Sequence, residues 1–176
     1  MSHAAVASQL RAPYVVLEDD AVPTAAANTA TEVVTAVQQC IKEDLYDIIY
    51  LGGLPLDSTS TDLPGIYKGQ CWTTYAMIVG PRAAEFLRHA TYDGVPIDVQ
   101  LARQNLRAAF VDPPLFRQAI TVSEIGKSAF TKSVLFSHLL GYATPVWRWT
   151  VIHQNLVMVL LLACLIWTVK RLNAPD

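Results

Sequence analysis

From Leu156 to Trp167 the chain reads LVMVLLLACLIW, a run without a single polar side chain. A helix built from it has no face that prefers water, so it must be covered by protein or by lipid. A membrane span needs about 20 residues. The flanks extend the run: Trp147 and Trp149 precede it, Trp167 closes it, and Lys170 and Arg171 follow. Aromatic edges with a basic stop are the pattern of an interfacial belt. The expectation is a single-pass C-terminal membrane anchor within residues 143–176, with a buried core helix as the alternative. Lys132 and Arg148 before the run balance Lys170 and Arg171 after it, so charge sets no orientation.

The remainder, residues 1–142, has the length of one domain. The formal net charge of the chain is −2, which excludes the basic footprint of a nucleic-acid binder. Cys40, Cys71 and Cys164 are too few and too scattered for a disulfide framework or a zinc site. Free thiols are expected at Cys40 and Cys71, with a Cys40–Cys71 bridge as the alternative.

Short apolar runs alternate with segments of helical period. Ser2–Leu10 predicts a helix, and Tyr14–Leu17 (YVVL) a strand. Thr29–Asp44 places Val33, Val37 and Ile41 at helical spacing. Asp47–Leu51 (DIIYL) predicts a second strand, ended by Gly52-Gly53. Leu54–Gly69, rich in Pro, Gly, Ser, Thr and Asp, predicts a long surface loop. Thr73–Val79 predicts a third strand, and Arg82–Ala90 a helix with Pro81 in its first turn. Pro96–Leu106 predicts a helix and Ala109–Val111 a short strand, while Phe116–Ser133 reads as irregular. Strands alternating with helices imply an α/β domain with a mainly parallel sheet.

In such sheets ligands bind beyond the carboxyl ends of the strands. Glu18, Asp19 and Asp20 occupy that position after YVVL. In an extended backbone Glu18 and Asp20 point to one face and Asp19 to the other. Two carboxylates on one face repel unless a cation or a donor lies between them. A hard divalent cation bridging to substrate phosphates is the natural candidate. A solvated acidic turn is the alternative.

YVVLEDDAVP resembles the strand and acidic motif of glycosyltransferase family 25, the lipooligosaccharide and procollagen galactosyltransferase group. YDIIYLGG, TTYAMIVGPRAAEFL, VPIDVQL and DPPLFRQAITVSEI resemble further segments of that family, in the same order. The resemblance covers about Ser2 to Ile125. It implies a GT-A-like sheet that transfers a hexose, galactose or glucose, from a UDP-sugar to a glycan or glycoconjugate, with Mn2+ or Mg2+. By position, Glu18 and Asp20 would bind the metal, and Asp19, Gly52, Gly53 and Gln118 the donor. Asp98 would act as catalytic base, or would only supply a negative charge at a helix start. Gly52 and Gly53 could equally just end a strand. Gln118 and Ser123 could be loop hydrogen-bonders, Tyr75 a core residue, and Trp72 a sugar platform or a packing residue. The resemblance begins inside the helix before the acidic motif, so the expected domain is N-terminally truncated. A catalytically inactive, membrane-tethered binding module is therefore the alternative to an enzyme.

Overall fold

The computed structural model describes residues 3–91, 94–119 and 145–172. In chain order the elements are α1 (His3–Gln9), β1 (Tyr14–Leu17), β2 (Ala21–Pro23), α2 (Ala26–Thr29), α3 (Thr31–Lys42), β3 (Ile48–Tyr50), β4 (Leu54–Pro55) and β5 (Thr59–Ser60). They continue with β6 (Ile66–Lys68), β7 (Cys71–Trp72), β8 (Ala76–Val79), α4 (Pro81–His89), α5 (Ile97–Ala102), β9 (Ala108–Val111) and β10 (Phe116–Gln118). Two helices follow, α6 (Pro145–Ile152) and α7 (Gln154–Leu172).

The chain is mixed α/β. Its main sheet has six strands in the order β1-β8-β3-β9-β6-β5. The mainly parallel sheet expected from the sequence is corrected: the sheet is largely antiparallel, and among the described residues only β3 and β9 pair in parallel. The alternation of strands and helices does predict direction, since β1, β3 and β9 all run the same way. It misses the antiparallel β8 inserted between β1 and β3 and the antiparallel β6 beside β9. Ile66–Lys68, expected within a surface loop, is thus a strand of the main sheet. Phe116–Gln118, expected to be irregular, pairs with β2 in a separate ribbon.

Period-2 alternation divides the core into two layers. Ile48, Tyr50, Met77, Val79, Ala108 and Phe110 face Ala7, Ala83, Ala84, Leu87 and Leu101 of α1, α4 and α5. Ile49, Leu51, Ala76, Ile78, Ala109 and Val111 face Val33, Ala36, Val37 and Cys40 of α3. Burying each valine, leucine, isoleucine, methionine or phenylalanine among them contributes roughly 1.5–3 kcal/mol, and each alanine methyl less. The inward stripe of α3 includes Val33 and Val37 as expected, but Ile41 is exposed and Ala36 and Cys40 complete it. The edge strand β1 is buried on one face only: Tyr14 and Val16 point inward, Val15 and Leu17 outward.

Asp47, at the start of β3, is the buried carboxylate of this framework. Its side chain is 1% exposed and meets Arg107 at 2.9 Å and Arg82 at 3.3 Å. The Arg107 amide also donates to it at 2.8 Å. Burial alone would push this carboxyl up. The hydrogen bonds from Arg107 and the charges of Arg107 and Arg82 outweigh burial and hold it below the ordinary carboxylate range.

A depressed folded-state pKa contributes stability above the unfolded value of about 3.9, and loses it as pH falls through the folded value. Asp47→Asn is expected to cost about 1–3 kcal/mol at pH 7, a figure moderated by the solvent exposure of both arginines. Urea denaturation at pH 7 and pH 3 should show the gap between variant and parent narrowing in acid.

Candidate functional site

Because β1, β3 and β9 share a direction, their carboxyl ends lie along one edge of the sheet. The antiparallel β8 begins at that same edge. Glu18 therefore follows β1 there, Gly52-Gly53 follow β3, Asp112 follows β9, and Thr73–Tyr75 precede β8.

The acidic triplet runs into a turn at Asp19-Asp20, so the alternation of an extended backbone does not apply to it. The Ala21 amide donates to the Glu18 carbonyl at 3.0 Å, which closes the turn and sends the chain into β2. The carboxylates consequently take separate partners. Thr74 Oγ1 donates to Glu18 Oε1 at 2.9 Å, and the Glu18 amide donates to the Tyr75 carbonyl at 2.8 Å. Gln118 Nε2 donates to Asp20 Oδ2 at 2.7 Å. Asp20 Oδ1 is buried and has no hydrogen-bond partner among the described residues. Asp19 is exposed.

Among the described residues no three His, Cys, Asp or Glu side chains converge as a metal cage. Magnesium-like ions need less from a protein, because one or two carboxylates complete their shell with phosphates and water. The orphaned Asp20 oxygen, one turn from Glu18, fits such a partial donor set.

The two glycines are more constrained than the sequence suggests. A Cβ at position 52 would lie 2.5 Å from the Phe116 carbonyl and 2.5 Å from the Tyr75 ring, so only glycine packs there. Gly53 has φ +122°, and its amide donates to the Tyr75 hydroxyl at 2.6 Å. Its carbonyl accepts from Arg148 at 2.7 Å. Both polar groups of Gly53 are thus engaged within the chain. Tyr75 is buried as expected of a core residue, and it also fixes this turn.

Asp98 lies in the first turn of α5. Its Oδ1 accepts from the Val99 amide at 2.8 Å and its Oδ2 from the Thr73 amide at 3.4 Å. Thr73 is left-handed, φ +74°, which is unusual for a β-branched residue, and its buried hydroxyl lacks a partner among the described residues. Consecutive threonines therefore join Asp98 to Glu18. Trp72, beside them, is half exposed. Burial pushes the neighbouring Cys71 thiol up to about 12, so it is no nucleophile; Cys40 and Cys71 are both free and buried. Ser123 lies outside the described residues.

The residue that sequence reasoning missed is Arg148 on α6. It is 4% exposed and inserts at the carboxyl edge. It donates to the carbonyls of Gly53 and Val111 and meets Asp112 Oδ1 at 3.2 Å, with its guanidinium 5.5 Å from the Phe110 ring centroid. A lone charge between two tryptophans is the available signal, though in the sequence it reads as one of the charges flanking the anchor. No family model, curated protein or solved structure matches the chain.

Arg148→Met leaves two carbonyls and Asp112 without their donor, and chemical denaturation should show a loss of about 2–4 kcal/mol. Thr73→Gly removes a strained φ and an unpaired hydroxyl, and should raise stability by about 1 kcal/mol in the same assay.

Proposed function

We propose that the chain is a metal-dependent glycosyltransferase with a GT-A-like sheet. In this reading it moves galactose or glucose from a UDP-sugar to a hydroxyl of a glycan or glycoconjugate, and its C-terminal helices hold it at a membrane. The observation that carries the reading is the shared edge: Glu18–Asp20, Gly52-Gly53 and the Thr73–Tyr75 corner meet where three co-directional strands end. That is where α/β sheets bind nucleotides.

Asp20 and Glu18 would hold the cation, which when bound would stabilise the charge of the departing diphosphate. Gln118 orients Asp20, and Thr74 orients Glu18. Asp98 would accept the proton of the acceptor hydroxyl as its oxygen bonds to the anomeric carbon and UDP leaves. Among the described residues no single helix is long and apolar enough to cross a membrane. The pair α6 and α7 passes that test together, bent by 87°.

A second reading, a glycosyltransferase-like module that does not transfer sugar, is favoured by Arg148. It fills the edge between the ends of β3 and β9 and occupies the Gly53 carbonyl.

Calorimetric titration of UDP into the full chain, with and without manganese, separates the two. Manganese-dependent binding that weakens at least about tenfold in Asp20→Ala is expected, as for loss of a charged ligand contact. A folded chain that binds no UDP, or an Asp20→Ala variant that binds unchanged, overturns the enzyme.

A further inference from the structure

Helix α6 has its polarity inside out. Its one charged residue, Arg148, is 4% exposed and points into the sheet edge. Three of its apolar residues face outward, Val146 66% exposed, Trp147 47% and Trp149 49%, while Val151 and Ile152 turn toward the domain. At about 100° per residue, Val146 stands on the far side of the helix from Arg148, with the two tryptophans flanking that outer face. The polar end of Trp147 is satisfied, since its Nε1–H donates to the Pro55 carbonyl at 2.8 Å. Water is a poor solvent for such a face. The interfacial layer of a bilayer suits it, because indole rings gather there.

The adjoining α7 decides between lipid and a protein partner. Met158 to Leu162, five consecutive residues, are each 53–65% exposed. Five residues at helical spacing go right round the helix. A second copy of the chain would cover one stripe of such a helix, whereas a bilayer covers all of it. The 87° bend between α6 and α7 supplies the matching geometry. When α7 enters the apolar layer steeply, α6 lies along its surface.

We propose that α6 lies flat on a lipid bilayer with Val146 and Trp149 against the lipid, and that Arg148 fastens this seat to the carboxyl edge carrying the candidate site. The fastening is direct. Arg148 holds Gly53 and Val111, Ser58 Oγ donates to the Val151 carbonyl at 2.9 Å, and Val151 is buried. The seat itself rests on the geometry of α6; only its bearing on donor binding rests on the glycosyltransferase reading.

The test reconstitutes the full chain into phosphatidylcholine vesicles whose acyl chains carry bromine, a contact quencher of indole fluorescence. Trp72→Phe, Trp147→Phe and Trp167→Phe together leave Trp149 as the only indole, excited selectively at wavelengths that tyrosine does not absorb. Quenching of Trp149 is expected, together with an emission shift to the blue relative to the chain without lipid. Val146→Asp, on an exposed position that folding does not need, should weaken vesicle partition by about tenfold, as a charge at an apolar interface costs. Unquenched Trp149 in vesicle-bound protein overturns the proposal, whether the chain is then a monomer or a dimer through this face. Quenched Trp149 in this variant, with no UDP binding by the unsubstituted chain, leaves the seat standing and overturns the enzyme instead.

Discussion

The architecture depends on the double pairing of β8. Val79 stands opposite both Tyr14 and Ile48, and Met77 opposite both Val16 and Tyr50. One buried antiparallel strand therefore sets the direction and register of β1 and β3 together. That register delivers the end of β1 and the end of β3 to the same edge as the start of β8. A one-residue slip would exchange the two faces of the strand, placing Met77 and Val79 against α3 in place of Ile78. The burial of β8 on both faces makes that slip costly.

The corner before β8 turns this register into a site. Within Thr73–Tyr75, the Thr73 amide holds Asp98, the Thr74 hydroxyl holds Glu18, and the Tyr75 hydroxyl holds Gly53. Three consecutive residues thus anchor three segments far apart in the chain. The left-handed Thr73 at its start stores strain that persists because its neighbours are fixed on both sides. Glu18 takes Thr74 as its partner and Asp20 takes Gln118, around the turn that the Ala21 amide closes.

The two ends of β3 handle buried charge in mirror fashion. At the start, the carboxylate of Asp47 is buried and its arginine partners are exposed. At the other end, the guanidinium of Arg148 is buried, and its partner Asp112 is one-third exposed. Desolvating an ion is costly, and in both places hydrogen bonds from or to the backbone offset the cost. The guanidinium reaches two carbonyls and a carboxylate from separate nitrogens of one planar fork, whereas a lysine would have to reach all three from a single nitrogen.

Local pattern alone determined much of the chain. Val33 and Val37 mark the inward stripe of α3, Pro81 marks the first turn of α4, and YVVL, DIIYL and AFV mark strands. The element types follow from the helical and strand periods and the turn chemistry of adjacent residues. The chain alone also placed the acidic triplet at one strand end and the glycine pair at another. It did not reveal that Ile66–Lys68 joins the main sheet, because its short run is surrounded by turn residues and its partner Val111 is distant in sequence. Nor did it reveal that Ile41 faces water or that Arg148 turns inward. Those outcomes depend on which surfaces meet, and strand order, register and the docking of α6 are long-range pairings that only the tertiary structure could decide.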